Sequence, residues 1–176
     1  MKKFIVLMAL FMAGAVATSA QAQKQAEEDA QTDTLYAAAV QALKENRFVM
    51  EADKVVFKYG DVAFVNSNTN FVLVNGKEGT VQVAFNSPFA GPNGIGGITV
   101  DGMVSGVKQK ENKTGKMNYS FNVQGSAISA QVFILLSPGS NQATVNISPN
   151  FNSRTLTLYG KIVPLEESTI YKARAL

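Results

Sequence analysis

From residue 48 onward, apolar side chains recur at every second position in a series of short runs. Val55 and Phe57 alternate with Lys54 and Lys58, and Val81, Val83 and Phe85 with Thr80, Gln82 and Ala84. Met117, Tyr119, Phe121 and Val123 alternate with Asn118, Ser120, Asn122 and Gln124, the cleanest run in the chain. Ala143, Val145 and Ile147 repeat the pattern, as do Leu156, Leu158 and Ile162. A period of two is that of a strand with one buried face. Residues 128–136 lose their polar partner face towards the end, which predicts a strand covered on both sides. Turn chemistry separates the runs at Tyr59-Gly60-Asp61, Asn75-Gly76, residues 112–115 and residues 137–141. Asn-Gly favours a two-residue hairpin because both residues tolerate positive φ. The pattern predicts seven to nine strands in a mainly β fold, an antiparallel meander forming a sandwich or small barrel. Gly102 and Gly106 interrupt one run and predict a bulge or bend.

Upstream the period changes. Leu35, Ala39, Ala42 and Leu43 share one face at helical spacing, with Tyr36 and Val40 beside them. Asp33 or Thr34 is the candidate cap and Asn46 the candidate stop, so one N-terminal helix is expected to pack on the sheet. Residues 23–33 are polar and read as a flexible leader, and residues 34–176 as a single β-rich domain. Residues 1–22 read as a secretory signal peptide. Lys2 and Lys3 precede an apolar stretch over residues 4–17, and Ala20 and Ala22 form an Ala-x-Ala site. Cleavage after Ala22 is the first choice and after Ala20 the second. The apolar stretch is short for a membrane span, and no further one follows it. The expected location is periplasmic or secreted, with no transmembrane segment after signal removal. A lipid-spanning barrel fits poorly, because the aromatics are scattered and many runs are short.

Composition narrows the chemistry. The 176 residues contain no Cys, His or Trp. Disulfides, thiolate metal sites and thiol catalysis are excluded, and the commonest general base and metal ligand is missing. A chain of this size buries about two-thirds of its unfolded surface without covalent staples. The formal charge of +3 loses Lys2 and Lys3 with the signal peptide, so the suggestion of an anionic partner largely disappears. Lys108, Lys110, Lys113 and Lys116 surround one predicted hairpin, where lysines blunt a strand edge more simply than they bind nucleic acid. The acids are sparse, no cofactor is implied, and Ser105 with Lys108 is better read as a solvated strand end than as a nucleophile and base.

Three polar segments remain as binding candidates. Residues 89–97 hold Asn93 among four glycines and a proline, without the following helix that a nucleotide loop requires. A turn at a sheet corner explains that segment most simply. Asn68 and Asn70 lie in one Asn-rich stretch, and Asn150, Asn152 and Arg154 in another. Amides there serve local turns or present donors and acceptors to a glycan, a small molecule or an envelope protein.

The segments FVLVNGKEGTVQVAF, GPNGIGGITVDG, NYSFNVQG, SNQATVNISPNFNSRTLTLYGKIVPLE and STIYKARAL together resemble a family of small exported proteins of unknown function from Bacteroides-type bacteria. The similarity spans residues 45–176. Asn70, Asn93, Gly94, Gly96, Gly97, Asn141, Pro149, Asn150 and Asn152 match its motif positions. The resemblance implies compartment and source type and no activity. It also makes Thr34, in Asp33-Thr34-Leu35, a candidate O-glycosylation site of the kind such bacteria use on exported proteins. The expected function is a non-catalytic exported domain binding through its Asn/Gly loops. The alternative is a structural envelope protein without a ligand, and a hydrolase ranks below both.

Overall fold

The computed structural model describes the backbone of residues 2–86, 95–150 and 155–170, and the side chains of residues 23–85, 97–150 and 155–170. Among the described residues one helix, α1 (Lys2–Glu45), precedes nine strands. These are β1 (Arg47–Phe57), β2 (Val62–Phe64), β3 (Phe71–Asn75), β4 (Glu78–Asn86) and β5 (Ile95–Glu111), then β6 (Met117–Gly125), β7 (Ser129–Leu136), β8 (Gln142–Pro149) and β9 (Leu156–Pro164). Among the described residues every pairing is antiparallel and joins strands next to each other in sequence, except that β1 pairs with β3 past β2, and β1 also pairs with β9. That pairing closes a barrel of eight strands, with β2 as an extra segment beside β1. Of the two architectures the pattern allowed, the barrel is the one formed.

The alternating residues turn inward and fill the barrel. Phe48, Met50, Tyr119, Phe121, Ile134 and Leu158 are among its fully buried side chains. Phe48 and Tyr119 meet edge to face, their centroids 5.3 Å apart, and Tyr119 meets Phe121 at 5.6 Å. Outward positions such as Lys54, Gln124, Gln131 and Lys161 are polar. An apolar interior with a polar exterior is the inverse of a barrel that spans lipid. Among the described residues no helix is long and apolar enough to cross a membrane.

Four expectations need correction. β7 is not covered on both sides: its burial alternates, and Phe133 and Leu135 face outward. The apolar end of that run is an ordinary strand whose outer face happens to carry large side chains. Neither Asp33 nor Thr34 caps the helix, because α1 is continuous through both, and Thr34 Oγ bonds back to the Ala30 carbonyl at 2.9 Å. Leu35 is exposed, while Ala39, Val40, Ala42 and Leu43 make the buried face. Finally, Ile95, Gly96 and Gly97 belong to β5 rather than to a loop. A Cβ on Gly97 would stand 2.3 Å from the Val83 carbonyl oxygen, so glycine lets β4 and β5 approach there.

The bulge expected around Gly102 and Gly106 is present. The β5–β6 register shifts between Ser105 and Lys108, and Gly106 has φ 65. Residues 165–170 form a strap over the outside of β1 and β3. Leu165 and Ile170 bury there with Val49, Phe71 and Leu73, a cluster separate from the barrel interior.

Candidate functional site

The meander gives the barrel two unlike ends. Helix α1 closes one, where β1 begins and β9 finishes. Its last residue is followed by Asn46, which adopts φ 55 and so turns the chain from helix into β1. Asn46 Oδ1 accepts from Tyr119 Oη at 2.7 Å and from Gln109 Nε2 at 3.1 Å. Gln109 also donates to the Leu43 carbonyl at 3.2 Å, satisfying a helix-end acceptor. Tyr36 Oη donates to the Gly115 carbonyl, and Lys44 pairs with Glu111 at 3.0 Å. Burial and the nearby Glu111 charge raise the Tyr36 phenol above its ordinary value. This end is sealed by the protein itself.

The other end is the rim from which the polar segments depart. β4 ends at Asn86 and β5 starts at Ile95, while β8 ends at Pro149 and β9 starts at Leu156, all at the end opposite α1. The loop over residues 65–70 leaves the wall in the same half, between β2 and β3. Phe57 and Phe85 form an edge-to-face pair inside this end, centroids 4.6 Å apart, and Val65 and Ile128 pack beside the core.

The amide candidates have different roles. Asn70 is completely buried: its Nδ2 donates to the Asn66 carbonyl and to Thr69 Oγ1, each at 3.0 Å, and its Oδ1 accepts from Ala84 N–H at 2.9 Å. Its own carbonyl accepts from Ala52 N–H at 3.0 Å. These bonds use both side-chain polar atoms to stitch β1, the loop and β4 together. Asn68 is exposed at the loop tip, its N–H donating to Asn66 Oδ1 at 2.9 Å. Asn150 holds the start of β7: its Oδ1 accepts from Ser129 N–H and its N–H donates to the Ser129 carbonyl. Asn93, Asn152 and Arg154 lie outside the described residues, although the strand ends flanking them share the rim. The rim also carries Tyr59, 88% exposed, and Phe64, 86% exposed, on the β1–β2 hairpin. Sequence reading missed Phe64, since three residues of β2 are too few to show a period.

Among the described residues no group of three or more His, Cys, Asp or Glu side chains could hold a metal. Ser105 and Lys108 stand on opposite sides of the Gly106 bulge, both exposed. The contact of Ser168 Oγ with Glu51 at 3.1 Å, with Lys161 at 3.5 Å from that carboxylate, anchors the strap. Ser168 Oγ also accepts from Ile170 N–H. No buried side-chain nitrogen or oxygen among the described residues lacks a hydrogen-bond partner.

The molecule is therefore a self-filled up-and-down β-barrel, plugged by a terminal helix at one end and presenting polar loops and aromatics at the other. The chain belongs to the family described as a domain of unknown function, DUF4251, whose model matches residues 30–162. It is similar to a crystal structure of a DUF4251 family protein from Bacteroides eggerthii, with 55% identity and a TM-score of 0.77. The match covers 84% of this chain and 99% of that one. The comparison with curated proteins finds no match.

Proposed function

We propose that this protein is an exported, non-catalytic binding domain that engages a glycan or protein on its open rim. One observation carries the reading: the strand ends bordering residues 87–94 and 150–155, the Asn68 loop and the exposed Tyr59 and Phe64 all belong to the end opposite the plug. Loops gathered on a rigid frame are where binding residues concentrate. Exposed aromatic faces beside amide donors and acceptors suit sugars and polypeptides alike. The filled interior favours a macromolecular ligand held outside over a small molecule enclosed within, as does the full satisfaction of buried polar atoms. In this reading Asn68, and Asn93, Asn152 and Arg154 outside the described residues, are contact candidates. Asn70 and Asn150 are positioning residues, because their side chains serve backbone groups of the protein itself.

The pattern of residues 1–22 and the kinship with a Bacteroides protein support a periplasmic or secreted location. Thr34 stands exposed on α1 and remains the candidate for O-linked sugar, which the intact mass of the native protein would reveal. The binding reading is tested by thermal shift of the purified protein against envelope glycans and peptides. A ligand-dependent rise in melting temperature that Asn68→Ala or Tyr59→Ala reduces supports it. No rise with any ligand returns the protein to a purely structural role, for which the filled core and the apolar hairpin would then be the evidence.

A further inference from the structure

A closed barrel hides its strand edges, but among the described residues staggered strands leave stretches with one ladder partner; residues 95–100 of β5, partnered by β4 alone, are one, and three more bear on pairing. The first is residues 105–111 of β5, beyond the last β4 partner at Met103 and the bond from Val104 N–H to the Lys77 carbonyl. This edge carries a bulge at Gly106 and the outward side chains of Lys108 and Lys110, the devices that keep an edge from pairing. The second is the end of β4 past Gln82, where Asn70 Oδ1 occupies the Ala84 N–H. The third is β2, and it has no such protection.

Among the described residues β2 pairs only with β1, through Lys54 with Phe64, Val55 with Ala63 and Val56 with Val62. Bonds from Val65 N–H to the Asp53 carbonyl and from Phe57 N–H to the Asp61 carbonyl set the phase of that ladder. Antiparallel alternation then turns the backbone N–H and C=O of Val62 and Phe64 away from β1. Their side chains point to the barrel exterior, Val62 55% and Phe64 86% exposed. In the same outward row Lys54 covers the Tyr159 ring at 4.1 Å, whereas Phe64 is bare. Of these three edges the chain thus guards two, and among the described residues it leaves the apolar β2 edge open.

We propose that β2 is the strand through which two copies of this chain pair, antiparallel about a two-fold axis at Ala63. The edge is self-complementary. With Ala63 opposite Ala63 of the second copy, Val62 faces Phe64 twice, so each bare aromatic gains an apolar cross-strand neighbour. The outward-turned N–H and C=O groups of Val62 and Phe64 meet their counterparts as a hydrogen-bonded pair. Asp61 falls opposite Val65 and Lys58 opposite Asn68, so no like charges oppose each other. The inward side chain at the axis is a methyl, which leaves room for its twin. A foreign strand would satisfy the same backbone groups without this doubled apolar match. Three residues on each side make a small interface, so the association is weak and concentration-dependent.

Sedimentation equilibrium of the purified protein from about 10 μM to about 1 mM tests the pairing in the range expected of so small a contact. The mean mass should rise towards the dimer, and Phe64→Lys or Val62→Lys should weaken dimerisation at least about tenfold without changing the fold, since both side chains face solvent. The natural chain has no cysteine, so Ala63→Cys adds a lone thiol at the axis, where paired Cα atoms about 4.5 Å apart permit a disulfide. It should crosslink under mild oxidation much faster than Ser105→Cys on the lysine-guarded edge. A mass that stays monomeric at every concentration overturns the proposal, as does a dimer insensitive to Phe64→Lys or equal crosslinking of the two cysteine variants. A monomer that instead binds an added synthetic strand of alternating Val and Thr assigns the edge to a foreign partner, and likewise overturns it.

Discussion

Tyr119 donates its phenol hydrogen to Asn46 Oδ1 at 2.7 Å, joining the middle of the barrel wall to the residue that ends the helix. The ring is completely buried between Phe48 and Phe121, so the hydroxyl has exchanged water for one amide oxygen. Losing that bond costs about 1 kcal/mol. Tyr119→Phe should therefore lower unfolding stability at neutral pH by about that amount, with Gln109 still satisfying Asn46. Urea unfolding measures it directly.

The same residue sets an alkaline limit. Burial raises the Tyr119 phenol far above its ordinary value of about 10. The folded state holds the proton more tightly than the unfolded state, so this contribution is complete below about pH 10 and is lost as pH climbs above it. Stability of the natural chain should fall as pH rises from about 9 to about 11, and Tyr119→Phe should show a shallower fall. Parallel declines in the two proteins would show that another group controls alkaline unfolding.

Closure depends on a different pair of strands. A Cβ on Gly160 would stand 2.0 Å from the Glu51 carbonyl oxygen and 2.7 Å from the Ala52 Cα, next to the irregular register between Ala52 and Lys54. Backbone is the obstacle, so no side-chain rotation relieves it. Gly160→Ala should cost about 2–3 kcal/mol or prevent folding, because β9 must move from β1 at the closing seam. Gly139→Ala is the comparison: nothing lies within 4 Å of its Cβ, and only its φ of 79 resists, at about 1 kcal/mol. Thermal melts of the two variants should rank in that order.

Much of this fold is written in local pattern. The strand through Tyr119 and Phe121, the hairpin at Gly76 (its turn one residue later than Asn75-Gly76, with Asn75 paired to Glu78), the Gly106 bulge and the Asn46 stop each follow from residues within a few positions. Barrel closure does not, because β1 and β9 lie about a hundred residues apart and the period of two is the same in a sandwich. The burial of Asn70 was equally hidden. An asparagine in an Asn-rich loop looks solvated until Ala84, on another strand, supplies the donor for its Oδ1. Phe133 and Leu135 mislead in the opposite sense, since apolar character alone does not state which face is covered.

The strap gives a prediction at acid pH. Leu165 fills the outer cluster with Val49, Phe71 and Leu73, and the neighbouring Glu166 is bound by Arg47. That hydrogen-bonded guanidinium holds the Glu166 carboxyl below its usual range. A depressed acid contributes stability above its unfolded value and loses it as pH falls through the folded one. The pair is exposed, so Glu166→Gln should remove only a small acid-side slope. Leu165→Ala should cost about 2–4 kcal/mol if the cluster fails to collapse. Amide exchange should then accelerate at Leu165 and Ser168 before it does at β6.

Asn70 separates a structural amide from a binding one. Its side chain donates twice into its own loop and accepts from β4, all in full burial. Asn70→Ala leaves the Ala84 N–H and the Asn66 carbonyl without that partner, at about 1–3 kcal/mol for each group that water cannot reach. Asn70→Asp keeps the acceptor for Ala84 but loses the Nδ2 donor, and it brings a buried carboxylate against the Asn66 carbonyl. That carboxylate folds most readily when protonated, so the variant should be more stable at low pH than at neutral pH, opposite to the trend expected of an acid bound by arginine. Asn68→Ala, at the exposed tip of the same loop, should leave the melting temperature within about 2 °C of the natural protein. If Asn70→Ala is equally silent, the loop is held by the backbone bonds of residues 66–70 alone.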